Sequence, residues 1–293
     1  MKKAFKRFLQ YGIMLLWTAI CIGPFVWILL SSFKPLREIT AWPPTLWPQT
    51  ATTNNYIEAW NSIPYGRYLL NSLLIATLST ASVVLVACFA AYSLVVLKSK
   101  LSKLVEILIL IGLIMPAQIT FIPLFKMMRS FGLIDSYAGL VLPYLSTAFG
   151  VYMMTSFYKM MPFSLVDAAR IDGLGEFGIV TRIVMPNAKS GIITLIIFNF
   201  QQVWKDLFWP LLLINKTELR TVPIGIPQAR KRPGSGLPPP SKGKVLLQQE
   251  QQEAQNQGQI LAAAIISILP LFLVYAIFQK QFVQGASFSG LKM

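Results

Sequence analysis

The chain contains no histidine. The side chain that most often serves as a neutral-pH general base, and most often ligates a metal, is therefore missing. Cysteine is scarce. Cys21 and Cys88 both lie inside apolar runs and read as two small buried hydrophobes, which excludes a disulfide framework and a zinc site. Charge is scarce as well: only 13% of the 293 residues are Asp, Glu, Lys or Arg, against about 25% in a soluble domain. A chain so poor in charge cannot cover a water-facing surface, so a soluble enzyme, a disordered tail and a fibrous protein are all set aside. No G-x-x-x-x-G-K-[ST] run occurs, so the chain supplies no P-loop. Gly173, Gly175 and Gly178 do spell G-x-G-x-x-G, but they follow a short helical pattern instead of a strand, and the match is a decoy.

What is present is apolar. Hydrophobic residues make up 55% of the chain and the mean hydropathy is +0.58. A bilayer-crossing helix needs about 20 mostly apolar residues. Runs free of charge cover 8–33, 68–97, 107–125, 136–158 and 254–279, and a sixth apolar run, 190–215, is broken only by Lys205 and Asp206. Backbone groups in lipid must pair within their own segment, so these six runs predict helices. The fold class expected is an all-α polytopic membrane protein with six transmembrane helices. The N-terminal run is too long for a signal-peptide core and lacks an A-x-A site, so it reads as an uncleaved first helix.

Net charge is +15. The cations cluster beside apolar runs, which suits membrane orientation and anionic lipid better than nucleic acid. With the N-terminus inside, thirteen Lys and Arg fall on the inner side, against seven close to the spans on the outer side. Both termini are therefore expected in the cytoplasm. This gives an inner tail over 1–10, one permease domain over 11–282 and a second inner tail over 283–293. Within the domain, 161–189 is a polar inner loop and 228–258 an outer low-complexity loop. The first half of that outer loop, which holds Arg230, Lys231, Arg232, Lys242 and Lys244, reads as disordered. Its Gln/Glu-rich second half can extend the sixth helix into water.

The inner loop reads MPFSLVDAARIDGLGEFGIVTRIVMPNAKSG from residue 161. Ser164 is a candidate N-cap, 165–172 a short helix and Gly173 its C′ residue. A second helical pattern over 176–185 is expected to stop at Pro186. The result is a helix–turn–helix elbow. Ala168 and Ala169 permit close approach of another surface, and Asp167 sits where a helix dipole favours an anion.

Asp167-Ala168-Ala169, then Gly173, Ile183 and Pro186, resemble the EAA loop of ATP-binding-cassette importer permeases, with Asp167 where Glu is usual. SSFKPLREI at 31–39, RYLLNSL at 67–73, WKDLFWPLLL at 204–213 and GASFSGLK at 285–292 resemble the carbohydrate branch, in particular the second permease of maltose-type pairs. Lys205 replaces the branch's usual Asn. The resemblance implies that Asp167, Ala168, Ala169, Arg170, Asp172, Gly173 and Pro186 form a coupling helix that docks on an ATPase. It implies a second permease subunit, two ATPase subunits and an extracytoplasmic solute-binding protein as partners, in a bacterial or archaeal cell membrane. This chain would bind no cofactor, because ATP belongs to the ATPase.

Lys205 and Asp206 are the sharpest anomaly of the apolar runs, since a charge near mid-membrane costs roughly 2.5–3.5 kcal/mol. Asn199, Gln202, Asp206 and Trp209 recur at i, i+3, i+7 and i+10, so an unbroken helix would carry them on one face. With Lys205 beside them, they offer the donors, acceptors and aromatic plane that a sugar needs. They are candidates for the substrate path, with contacts to a partner helix as the alternative. The functions left open are an importer of a sugar, an importer of a non-sugar compatible solute, and an ion-gradient-driven transporter. The Met153, Met154, Met160 and Met161 cluster reads as packing.

Overall fold

The computed structural model describes residues 2–228 and 245–290, and all regular structure among them is helical. The cations at 230–244 and the last three residues of the tail lie outside the described residues. The elements are α1 (Lys2–Ser32), α2 (Asn54–Ser62), α3 (Tyr65–Tyr92), α4 (Ser102–Ile114), α5 (Ala117–Ser130), α6 (Tyr137–Val141), α7 (Ala148–Lys159), α8 (Ser164–Ile171), α9 (Glu176–Ile179), α10 (Lys189–Trp204), α11 (Phe208–Leu213) and α12 (Val245–Gly290). Two compact units result: Met1–Gly66 with Gly225–Leu269, and Arg67–Ile224 with Pro270–Met293.

Four segments are each long and apolar enough to cross a membrane: Phe5–Ser32, Tyr65–Leu97, Tyr137–Lys159 and Gln257–Lys280. Two bent helix pairs raise the count to six if each pair is one span: α4 with α5, bent by 102°, and Glu176–Asn187 with α10, bent by 80°. The run at 107–125 is thus not a straight helix. Met115 and Pro116 are both extended (ψ 126° and 127°), because a proline ring disfavours helical backbone in the residue before it. The Gln/Glu-rich stretch does join the last helix, which begins at Val245.

In the first unit, α1 buries none of its most apolar window within the chain. Cys21, expected to be buried, is exposed on that helix, whereas Cys88 is buried. The end of α1 leaves carbonyls without helical partners. Asn55 of α2 answers there: its Nδ2 donates to the carbonyl of Ser32, the last residue of α1, at 2.8 Å and to that of Lys34, two residues beyond it, at 2.9 Å. Tyr65 Oη donates to the Ala263 carbonyl at 2.6 Å, which ties the start of α3 to α12.

The second unit holds two apolar clusters. One gathers Val83, Tyr92, Met154, Tyr158, Val166, Ile179 and Leu195; the other gathers Ile75, Leu140, Phe200, Trp204 and Leu213. Met153 and Met154 sit in the first cluster and Met161 packs against it, while Met160 is exposed. Asn71 of α3 donates to the carbonyls of Glu218 and Arg220, both at 2.9 Å, and accepts from Tyr137 Oη. Asp135 accepts the backbone N–H groups of Lys216 and Asn215. These donors, chiefly that of Lys216, hold its carboxyl below the usual aspartate value.

Replacing Asn55 with Ala removes the donor to the Ser32 and Lys34 carbonyls. The expected loss is about 1–3 kcal/mol, read as a lower unfolding midpoint of the detergent-purified protein; an unchanged midpoint would refute the clamp. Asp135 has a folded-state pKa below its unfolded one, so its contribution is present above the ordinary aspartate value of about 3.9 and is lost as pH falls through the lower folded value. The gap in midpoint between wild type and Asp135→Asn should be constant from about pH 8 to pH 5 and shrink below about pH 4. A gap that widens on acidification would contradict the assignment.

Candidate functional site

The elbow begins at α8. The helix has two faces. Val166 and Ala169 pack into the first apolar cluster, while Asp167, Ala168 and Arg170 are exposed. Phe163, and not Ser164, occupies the N-cap position, and no side chain caps the helix there. Ser164 is the first helical residue. The other end follows the expectation. Gly173 takes a positive φ of 79°. Its N–H donates to the Arg170 carbonyl at 3.0 Å, and the Leu174 N–H donates to the Ala169 carbonyl at 3.0 Å. This is the paired pattern of a Schellman stop, in which a left-handed C′ residue lets two orphan carbonyls find donors. Leu174 completes it by packing against the cluster that holds Ala169.

A charged lock joins the two arms. Arg170 Nε lies 3.1 Å from Glu176 Oε1, with Asp167 more loosely placed at 4.0 Å from the guanidinium. Tyr92 Oη donates to Glu176 from the end of α3. The elbow is therefore fastened to a membrane helix by hydrogen bonds as well as by Val166 and Ala169. Asp172 is exposed at the turn.

Pro186 departs from the sequence reading. It does not stop the second arm. Helical backbone runs from α9 through a π-helical stretch, Val180–Val184, into Met185–Asn187, and the bend comes at Ala188. A proline lacks an N–H and clashes with the carbonyl four residues earlier. The wider π turn immediately ahead of Pro186 changes that spacing and carries the helix through.

Sequence reasoning missed two residues of this surface. Ile171 is 87% exposed and Phe177 is 71% exposed. They flank the Gly173 turn, and Phe177 also stacks on Phe89 with centroids 5.8 Å apart. The available signal for Ile171 was its position off the Val166–Ala169 stripe.

The second set of predicted residues is not on one helical face. α10 ends at Trp204 and α11 starts at Phe208, so the spacing from Asn199 to Trp209 crosses a break. Asp206 makes that break. Its Oδ1 accepts the Phe208 N–H at 2.9 Å and the Trp209 N–H at 3.4 Å, and its Oδ2 accepts from Tyr144 Oη. A short acidic side chain at a helix start offers the backbone an alternative to helical pairing. Asn199 is buried and donates to Thr80 Oγ1 at 3.2 Å. Trp209 is buried, and its indole N–H donates to the Gly139 carbonyl at 3.1 Å. Gln202 and Lys205 are exposed. Of the five, then, three hold the broken helix in place and two present polar groups outward.

A family model described as the binding-protein-dependent transport system inner membrane component matches residues 83–287. The chain belongs to this family. Both the elbow and the broken helix fall inside the matched region. The chain is 32% identical to the sulfoquinovosyl glycerol transport system permease protein of Agrobacterium fabrum, covering 92% of this chain and 88% of that one. It is 28% identical to the diacetylchitobiose uptake system permease protein of Streptomyces coelicolor, covering 95% and 87%. It is also 28% identical to the sn-glycerol-3-phosphate transport system permease protein of Escherichia coli, covering 94% of each. A chain in the crystal structure of a bacterial ABC transporter that imports the acidic polysaccharide alginate shares the fold, with a TM-score of 0.79 at 18% identity over 96% of this chain and 98% of that one. The family is a transport component, not a catalytic subunit, and this member is a multi-pass membrane protein.

The Gly173 stop can be tested against Gly178, which has an ordinary φ and room for a methyl group beside Leu174. Gly173→Ala should destabilise by about 1–2 kcal/mol because the left-handed backbone strains any Cβ. Gly178→Ala should stay within about 0.5 kcal/mol. Thermal unfolding in detergent reads both, and equal effects would remove the Schellman assignment.

Proposed function

We propose that the chain is one of two permease subunits of an ATP-driven importer for a carbohydrate or carbohydrate-like solute. In this reading the bent α4–α5 pair and the broken α10–α11 run each cross the membrane once, giving six spans, and the Glu176–Asn187 arm stays with the elbow at the inner surface. Both termini lie on the inner side of a bacterial or archaeal inner membrane, as the bias of Lys and Arg indicates. A solute-binding protein docks on the outer side. Two ATPase subunits bind and hydrolyse ATP on the inner side, so this chain needs no cofactor of its own. The exposed face of α1 meets lipid and the second permease. Three relatives are named for diacetylchitobiose, sulfoquinovosyl glycerol and arabinooligosaccharides, which supports a carbohydrate as cargo.

The observation that carries this reading is α8. It is a short helix locked to the membrane core on one face and bare on the other, where Asp167, Ala168 and Ile171 are exposed. That face, with Arg170, Asp172, Gly173 and Pro186 around it and Ala169 beneath it, is the ATPase dock. Closure of the ATPase dimer on ATP pushes on α8, and Val166, Ala169 and the Arg170–Glu176–Tyr92 lock pass the movement to α3. Along the path, Gln202 and Lys205 meet the solute, while Asn199, Asp206 and Trp209 hold the broken helix that presents them.

Co-purification from mild detergent, with ATP hydrolysis assayed on the product, tests the proposal. A stoichiometric ATPase should accompany the wild type and be lost or uncoupled in Asp167→Lys. A chain that purifies alone, with uptake in vesicles independent of ATP, would sink it in favour of an ion-coupled transporter. The ligand carried by the co-purified binding protein names the solute. A phosphorylated polyol would favour the second reading that the glycerol-3-phosphate relative raises.

A further inference from the structure

Where the π-helical stretch that follows α3, Ser93–Leu97, turns into α4, the chain lines an open cleft of about 520 Å³. That lies within the roughly 300–1,000 Å³ of small-ligand sites. Four lysines line it, Lys98, Lys100, Lys103 and Lys159, against one carboxylate, Glu106. Lys159 and Glu106 satisfy each other at 3.1 Å. Among the described residues, no carboxylate forms an ion pair with Lys98, Lys100 or Lys103. Lys98, Lys100 and Lys103 are exposed, and three ammonium groups within six residues of chain concentrate positive potential at the rim.

The helix start adds to the positive field. α4 has 13 residues and no acidic residue in its first turn, where the dipole ordinarily favours one. Lys103 stands there instead. The hydroxyls of Ser99 and Ser102 also line the cleft and lie 3.2 Å apart. The rim thus offers cations and hydroxyl donors at a helix N-terminus, the combination that binds tetrahedral oxyanions. The rim is partly held in place. Lys98 adopts a left-handed backbone, φ 48°, and its Nζ lies 5.0 Å from the centre of the Phe163 ring. The floor is apolar, formed by the buried Leu94 and Val95. The cleft sits at the end of the Tyr65–Leu97 span, where headgroups lie.

We propose that this cleft binds a phosphate-bearing anion, supplied either by an anionic phospholipid headgroup or by a soluble phosphate. The proposal rests on the charge and geometry of the chain itself and not on the importer reading. Phe163 is the residue that leads into α8, so an occupied cleft ties the α3–α4 turn to the root of the elbow.

The test uses the full chain purified in mild detergent with the subunits that accompany it. Native mass spectrometry measures binding of phosphatidylglycerol against phosphatidylcholine of matched acyl chains. Equilibrium dialysis with radiolabelled inorganic phosphate, after delipidation, measures the soluble arm. The variant is Lys98→Gln with Lys100→Gln and Lys103→Gln. The control, Lys126→Gln with Arg129→Gln and Lys216→Gln, removes the same charge elsewhere. The wild type should prefer phosphatidylglycerol or bind phosphate, the variant should lose about tenfold or more, and the control should retain it. Retention of the lipid alone assigns the headgroup, and of phosphate alone the soluble anion. Binding that falls equally in variant and control, or that is absent in the wild type, overturns the site. Should the variant not fold, amine-reactive labelling of the wild type decides: the bound anion protects Lys98, Lys100 and Lys103 but not Lys126, and absence of protection overturns the proposal.

Discussion

A backbone amide in lipid has no water to turn to, and every other feature of this chain follows from that constraint. Continuous helices meet it without side-chain help. Each place where a helix ends, bends or breaks does not, and there the chain places its few polar side chains. Asn55 takes up the carbonyls of Ser32 and Lys34. Asn71 takes up two carbonyls after α11. Asp206 receives the N–H groups that open α11, and Tyr144 donates to it in turn. At these three breaks, polar side chains stand where backbone pairing fails.

The elbow solves the same problem in a polar setting, and the solution creates its surface. The Schellman stop at Gly173 satisfies the last carbonyls of α8 within the chain, so no outside partner is needed to end the helix. Val166 and Ala169 face the core and the Arg170–Glu176–Tyr92 lock fixes the hinge. What remains on the outside is a rigid face with a carboxylate, a small residue and the bare Ile171. A face of that kind can transmit force, because its own folding does not depend on what docks there.

Much of this was legible along the chain. The length of the apolar runs located four stretches that are each long enough to cross, since bilayer thickness sets a residue count that composition either meets or does not. Gly173 was legible because a left-handed C′ residue demands a side chain without a Cβ. The helical continuation into the Gln/Glu-rich stretch followed from its composition. Other readings failed for local reasons. Pro186 looked like a stop because proline removes a donor, but a π turn ahead of it restores passage. Asn199, Gln202, Asp206 and Trp209 looked like one face because the spacing presumes an unbroken helix. Ser164 had the chemistry of a cap, yet Phe163 holds that position.

The sequence by itself determined that this chain lives in a membrane, that four stretches are each long and apolar enough to cross it, and that a short helix stopped by Gly173 stands between apolar runs. These are one-dimensional properties, because hydropathy, charge bias and a glycine after a helical run act through near neighbours. Only the tertiary structure decided what each polar group near a break does. Asp206 has the chemistry to face a solute or a backbone; it faces Tyr144 and the start of α11, and a contact across 62 residues is invisible to periodicity. The same holds for Glu176, reached by Tyr92 from 84 residues away, and for the lysines that share a cleft with Phe163. Partners distant in sequence are chosen by packing, and packing is where the pairing of charges in a low-charge chain is settled.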